Sequence, residues 1–494
     1  MATSRPLRAL FPLLLLLLSS SLLPSSFGSS DPEKRRCRVE CGSIPEHRQR
    51  KECVRQCLDR EREGATGRDN HHEGEESEGQ SSEHHPYHFG RRSYKRWTRT
   101  EHGRFEVLQR FDERSEQLRG IANYRLALLE AEPETFILPS HFDADEVFYV
   151  MEGCGTVTLL QGENRESHDI KRGDIMMIPA GVIVYAINRD KNERLRIAML
   201  LRPISTPGEV EEFFGAAGQH PRSFYTSFSN EVQEAAFNSP REKIERLFGH
   251  QRKGEIIKIS QEQIQALRES AAEGSGRFLW PFAQSNRPFN LLQSRPAYSN
   301  DNGELYEVTP EDYKQIHDLN IHVAFVNITQ GSMMAPHYNT LATHLVMVVR
   351  GEGYVEMTCP RQSSQQKRKD EEHESESTAG YQTVRSRLSH GSAFVIPAGI
   401  PVTVVASPNT DLEAVAFGIR SENSRRHYLA GRNNVLSRMD RVAKQLAFGG
   451  VRVEEVDEVL NAQREQVFLP GPERRREEER GGRRASRESL LSSA

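Results

Sequence analysis

Four of the six cysteines fall inside residues 37 to 57, CRVECGSIPEHRQRKECVRQC, as two Cys-x3-Cys pairs separated by eleven residues. Thiols at i and i+4 share one face of a helix, and Gly42, Ser43 and Pro45 offer a break between two such helices. Two antiparallel helices facing each other would be closed by nested bridges, Cys37–Cys57 and Cys41–Cys53, although four cysteines allow three pairings and spacing alone does not choose. Zinc is the rival chemistry, but metal-binding pairs usually sit closer together and prefer a reducing compartment. The expectation is therefore a disulfide-linked helical hairpin over residues 34 to 63. Cys154 and Cys359 are solitary and read as buried apolar residues. His71, His72, His84 and His85 stand in GATGRDNHHEGEESEGQSSEHH, which has no apolar periodicity and reads as a disordered linker over 64 to 93 rather than a metal tract. Asp143 and Asp145 alternate like solvent-facing acids, and nothing places a second carboxylate pair for acid–base work. No Gly-x-Ser-x-Gly, phosphate-cradling loop or Cys with a placed His and Asn is found. What does recur is Gly-x5-Pro-Ala-Gly, in GDIMMIPAGVIVY (173 to 185) and GSAFVIPAGIPVT (391 to 403), with apolar residues after each turn.

The elements that must position these residues are short strands. FEVLQRF, YRLALLEA, VFYVMEG, GTVTLL, DIMMIPAG and RIAMLL are rich in Val, Ile, Phe and Tyr, with Gly, Pro or Asn at the breaks. The same order returns as VAFVNI, HLVMVVRGEG, VEMTC, SAFVIPAG, PVTVV and AVAFGI. Two copies of one antiparallel sandwich or barrel account for this pattern better than βαβ units. Each copy ends in amphipathic helical sequence: Ile244, Leu247 and Phe248 in SPREKIERLFG, followed by SQEQIQALRES, and then Val435, Met439, Val442 and Leu446 in NNVLSRMDRVAKQLAFGG. Such stripes suit packing on a neighbouring subunit, or on the parent module. The run QSSQQKRKDEEHESESTAG (362 to 380) reads as an exposed loop open to proteases.

Length and charge narrow the class. A chain of 494 residues can hold two or three domains. Arg5 and Arg8 precede LFPLLLLLL and a small-residue exit, so residues 1 to 28 read as a signal peptide. No later window is apolar enough to span a bilayer, so no transmembrane segment is expected. A formal net charge of -4 argues against a nucleic-acid binder. Of the 66 basic residues 54 are Arg; either basic residue would serve solubility, whereas Arg carries more nitrogen. Asn327-Ile328-Thr329 is the sole Asn-x-Ser/Thr sequon, which the secretory route would expose to glycosylation.

PSHFDADEVFYVMEGCG and PHYNTLATHLVMVVRGEG, with the two Gly-x5-Pro-x-Gly turns, resemble the halves of a bicupin. More narrowly, together with TEHGRFEVLQRFDERSEQLRGIANYRLALLEAEP, IIKISQEQIQALRES and LAGRNNVLSRMDRVAKQLAFGG, they resemble a vicilin, the 7S seed storage globulin, over about residues 86 to 470. The Cys-x3-Cys pairs resemble the helical-hairpin segments that some vicilin precursors carry before the cupins. The resemblance implies a mainly β chain of two cupin jelly-roll barrels, each with a helical extension, over 94 to 270 and 288 to 465, with a disordered tail over 466 to 494. It also implies a homotrimer joined through the helical extensions, a protein-storage vacuole, and a nutrient reservoir mobilised by processing and germination proteases.

Metal-using cupins resemble one another in His-x-His-x4-Glu-x6-Gly and Gly-x5-Pro-x-Gly-x2-His, which together hold a transition metal. The corresponding positions here are Ser140-adjacent His141, Glu146 and Val184 in the first module, and His337, Asn339, His344 and Val402 in the second. Each module keeps two of four possible ligands. The copper site of some vicilins, Cys-Pro-His with a His after Pro-Ala-Gly, is matched by Cys359-Pro360-Arg361 and Ile400. The expectation is therefore no metal, no cofactor and no catalysis, with His141, His337 and His344 as ordinary barrel histidines. A metal-dependent cupin oxidase and a precursor of an antimicrobial or protease-inhibiting hairpin are the alternatives.

Overall fold

The computed structural model describes residues 85–274, 287–360 and 380–474, with Gln49, Cys53, Gln56 and Cys57. The chain divides into two units, Met1–Asn70 and His71–Ala494. In the first, the four described residues are helical, and Cys53 and Cys57 are both disulfide-bonded. Cys37 and Cys41, the expected signal peptide and most of the 362 to 380 loop lie outside the described residues.

In the second unit the expected duplication is present strand by strand. Each half is a pair of antiparallel sheets. In the first half, Ala144–Glu152 lies between Leu195–Pro203 and Asp174–Ile178, so that Phe148 is paired with Met199 on one side and Met176 on the other. In the second half, Thr343–Arg350 lies between Leu412–Ile419 and Ala393–Ile396, and Val346 is paired with Ala416 and Phe394. The opposing sheet is centred on Thr135–Phe142 and Ile183–Asn188 in the first half, and on Gly353–Pro360 and Val402–Ala406 in the second.

The two Gly-x5-Pro-Ala-Gly turns are also equivalent. Val182 N–H donates to Pro179 O and Ile400 N–H to Pro397 O, both at 3.3 Å. Gly181 and Gly399 sit at φ of 78° and 77°, a left-handed conformation that glycine adopts without strain. Their N–H groups tie the turn to Phe142 O and Asn339 O respectively. Geometry alone accounts for the repeated motif.

The strand Ala144–Glu152 does not alternate because both of its faces are buried. Phe148 and Val150 fill the first barrel, whereas Val147, Tyr149 and Met151 join a core shared with the second half. The Tyr149 ring stacks on Phe325 of the second half at 5.9 Å. The halves are further joined by exchanged arms. His88–Phe89, ahead of the first module, pairs with Phe394 and Ala393 of the second. Phe289–Asn290, ahead of the second, pairs with Ile175 and Asp174 of the first.

Three expectations need correction. The disordered linker of 64 to 93 does not run to its last residues, because Tyr87 and Phe89 are apolar, buried and held in the arm. The tail of 466 to 494 begins in order: Phe468–Pro470 pairs with Ser332–Met334, and Phe468 and Leu469 are buried. The stripe Val435 to Leu446 is not one helix. Asp440 caps a new helix, Arg441–Ala447, by accepting from Ala443 N–H at 2.9 Å, and Val435–Arg438 is a 3-10 turn. Among the described residues no helix is long and apolar enough to cross a membrane.

Candidate functional site

Each barrel encloses a small lumen, and the expected ligand positions line both. The first lumen, about 90 Å³, is bordered by His141, Glu146 and Val184. His141, half-buried at the end of Thr135–Phe142, stacks on the Phe213 ring at 5.0 Å, and burial lowers its pKa. Val184 is paired with Ser140 across the sheet, so a branched alkyl group occupies the place of an imidazole. Glu146 is 6% exposed, and burial is the one influence on its carboxyl. Burial pushes its carboxyl up to about 8.

Asp143 and Asp145 are not solvent-facing acids. Asp143 accepts from Glu211 N–H at 2.7 Å, and Asp145 accepts from Arg202 at 2.7 Å and from Ala180 N–H at 3.2 Å. They hold the rim of the barrel together. The acids that do reach the lumen are Glu212 and Glu255, which sequence reasoning missed. Glu212 is carried there by Glu212–Phe214, a three-residue strand paired with Thr135–Phe142, and Glu255 by its place just before Ile256–Lys258, which pairs with the same strand. Strands this short carry no periodicity; the acidic run GEVEEF marks Glu212, and nothing local marks Glu255.

The second lumen, about 60 Å³, is lined by His337, Asn339, His344 and Arg426. Its imidazoles are committed to protein partners. His337 Nδ1–H donates to Ala335 O at 2.9 Å. With the Asn339 amide donating to His344 Nδ1 at 3.3 Å, His344 carries its proton on Nε2 and gives it to His322 Nε2 at 3.1 Å. Gly418 lies opposite both His322 and His344 in register, and a Cβ there would meet the His322 ring at 2.1 Å. Glycine is what lets the two rings meet across the intervening strand. Burial drives His337 down to about 3 and His322 to about 4, so all three rings are neutral at ordinary pH. Val402, buried and paired with His337, fills the remaining position.

Beside this lumen an open pocket of about 370 Å³ is bordered by Glu307, His322, Asn320, Ser424 and Arg426. Burial opposes ionisation of Glu307, but the Arg426 guanidinium at 2.7 Å overcomes it and holds the carboxyl below its usual range. Cys359 is a buried thiol whose pKa burial raises, and Ile400 packs against the same core. Arg361 lies outside the described residues. Neither barrel fits a transition metal: each lacks the full donor set, and among the described residues no three His, Cys, Asp or Glu side chains come close enough together to hold one.

The helical ends present a different surface. Ile244 and Phe248 turn inward, with Phe248 stacked on Tyr225 at 4.8 Å, whereas Leu247 is 66% exposed. Val442, Leu446 and Val459 are 63%, 79% and 71% exposed. The expected stripes thus divide between the parent module and open apolar residues. Asn327 lies in Ile321–Ile328, between Glu304 and Glu413 of the flanking strands, with its Oδ1 buried.

Comparison with known proteins places this geometry. The family described as Cupin matches residues 95–243 and 289–454. Vicilin Cor a 11.0101 of Corylus avellana is 44% identical over 457 residues, 92% of this chain and 98% of that protein. A Macadamia integrifolia protein named vicilin-like antimicrobial peptides 2-3 is 43% identical over 450 residues, 88% of this chain and 71% of that one. The crystal structure of vicilin from Corylus avellana matches with a TM-score of 0.70 and 45% identity, covering 78% of this chain and 99% of that one. A vicilin structure from Solanum melongena, described as revealing different anionic ligands in structurally similar pockets, matches with a TM-score of 0.72 and 36% identity, covering 78% of this chain and 98% of that one.

Proposed function

The chain belongs to the vicilins among the cupins, and on that premise we propose that it is a seed storage protein: an Arg-rich nitrogen reservoir with no catalytic role. The observation that carries this reading is the pair of cupin barrels with intact turns and dismantled donor sets. Val184 and Val402 stand where imidazoles would complete a metal site, and the histidines that remain are hydrogen-bonded inward. A fold kept while its chemistry is lost suits a protein whose value is its composition. With 54 Arg in 494 residues, each chain is a dense store of nitrogen.

Entry into the secretory route is supported by the basic, apolar start of the sequence, and onward delivery to protein-storage vacuoles by the kinship with vicilins. Assembly as a homotrimer through the helical extensions is supported by Leu247, Val442, Leu446 and Val459, exposed apolar residues that a single chain leaves uncovered. A closed ring suits two similar modules per chain, each offering a helical end to the next subunit. The storage reading is tested by incubating the purified protein with an extract of germinating seed. Germination proteases should convert it to free amino acids with arginine prominent. A chain that persists intact counts against storage.

A second reading applies to residues 34 to 63 alone, as a bridged hairpin released with antimicrobial or protease-inhibiting activity. It is favoured by the disulfide-bonded, helical Cys53 and Cys57. Ten Lys or Arg against six Asp or Glu make the segment basic, and a relative is named for antimicrobial peptides. The nested pairing Cys37–Cys57 and Cys41–Cys53 belongs to this proposal, and peptide mapping of the non-reduced protein tests it.

A further inference from the structure

The first barrel holds more acid than its fold needs. Glu146, Glu212 and Glu255 all line a lumen whose remaining wall is mostly apolar, including Phe148, Val157 and Met199. They arrive from three separate elements, so their convergence is a property of the fold and not of one acidic run. Each carboxylate affects the next: Glu212 feels the charge of both Glu255 and Glu146. Among the described residues no Arg or Lys borders the lumen, and the only other ionisable groups there are His141, lowered by burial, and Tyr185. Hydrogen bonding inside the protein satisfies only part of the set. Ser140 Oγ donates to Glu212 Oε1 at 2.7 Å, the Trp97 indole N–H reaches the same carboxyl and Thr98 reaches Glu255, but Glu212 Oε2 is enclosed without a hydrogen bond of ordinary geometry, and no hydrogen bond to Glu146 is found among the described residues. Buried carboxyl oxygens without donors are costly, and natural cores rarely keep them.

A ligand that supplies donors and positive charge on one side and carbon on the other would satisfy this lumen. A bare metal ion is a poor match, because among the described residues no three ligating groups converge closely enough to coordinate one. An ammonium head is a better one. It offers three N–H donors pointing in different directions, and charge-assisted bonds to carboxylates are the strong kind. A volume of about 90 Å³ admits such a head with a short alkyl stem but not a bulky quaternary ion.

We propose that the first barrel is a binding site for a small primary amine, whose ammonium group is held by Glu146 and Glu212 and whose alkyl stem lies against the apolar wall. In the free protein, burial keeps the first-barrel carboxyls largely protonated near neutral pH, Glu146 at about 8. An entering ammonium favours their ionised form, so binding releases protons.

Trp97 reports on the site. Its indole N–H acts on Glu212, and it is one of only two tryptophans in the chain. The experiment uses the full chain carrying Trp280→Phe, titrated with propylammonium chloride against sodium chloride at matched ionic strength. Trp97 fluorescence is recorded, and calorimetry in two buffers of different ionisation heat counts the protons released. The expected result is saturable binding of one propylammonium per chain with proton release, and at least tenfold weaker binding in Glu146→Gln. Tetrapropylammonium and propionate should give no signal. Glutamine matches the protonated acid in shape, so this variant should keep the wild-type circular dichroism; Glu212→Gln is read in its place if it does not. Absence of saturation, equal binding by both glutamine variants, or equal binding of propionate would overturn the proposal. Because storage does not depend on this site, failure here leaves the storage reading intact.

Discussion

Replacing Glu146 with glutamine should flatten one part of the protein's response to pH. The carboxyl rises from 4.5 in the unfolded chain to about 8 in the fold, and the cause is burial alone. A group whose folded pKa is raised binds more protons when folded, so its contribution is fully present below about pH 4.5 and is lost as pH climbs through about 8. One pKa unit corresponds to about 1.4 kcal/mol, and the two titration curves then imply a loss of roughly 3 kcal/mol between about pH 5 and about pH 8. At 6% exposure the side chain is too buried for solvent screening to reduce that figure greatly. Both modules melting as one unit would give a shift of roughly 4 °C for that loss, at roughly 2 cal/mol/K of unfolding entropy per residue. The wild-type curve alone is not diagnostic. His322, His337 and His344 have lowered folded values, so they remove stability as pH falls below 6.5, opposite in sign to Glu146. The difference between wild type and Glu146→Gln isolates the carboxyl. Calorimetric melting temperatures of both proteins across that range should coincide near pH 5 and separate progressively toward pH 8, with the variant higher. Parallel curves would refute the burial argument, and a variant lower throughout would show that the carboxylate has a partner that holds it ionised.

Other outcomes follow from the same structure. Val442→Asp combined with Leu446→Asp should dissociate the proposed trimer to monomers in light scattering while leaving the β signal of circular dichroism unchanged, because both side chains lie outside the cores. Elemental analysis of the purified protein should find well below one copper, manganese or zinc per chain; a full equivalent lost on Cys359→Ser would instead revive a metal site near that thiol. Treatment with an N-glycan-cleaving enzyme should leave the mass unchanged, because Asn327 lies on a central strand with its Oδ1 enclosed and a glycan there would keep the strand from seating.

Much of the architecture was legible because it repeats. Two runs of strands in the same order, each punctuated by Gly-x5-Pro-Ala-Gly, announce two copies of one barrel, and the two turns prove identical down to their hydrogen bonds. The exchanged arms were not legible. His88–Phe89 and Phe289–Asn290 are two residues each, too short for any period, and their partners lie far along the chain. The same limit hid the acids. Alternation drew attention to Asp143 and Asp145, which are bound to the rim, while Glu212 and Glu255 reach the lumen from the ends of other elements. His322 was passed over because nothing local distinguishes it; its meaning comes from Gly418 and His344 on the two neighbouring strands. In the helical extensions the spacing of apolar residues was right, but the capping side chain of Asp440 outweighed it and divided the run.

Storage makes three demands that no catalyst shares together: the protein must be abundant, persist unchanged and then be consumed. Absolute quantification of this chain in isolated protein bodies, from seed filling through germination, measures all three. The account predicts accumulation to a major fraction of protein-body protein, a constant amount through dormancy, and loss during germination in step with the appearance of free arginine. A chain present only in trace amounts, or one that persists undiminished while the seedling draws on its reserves, would contradict it.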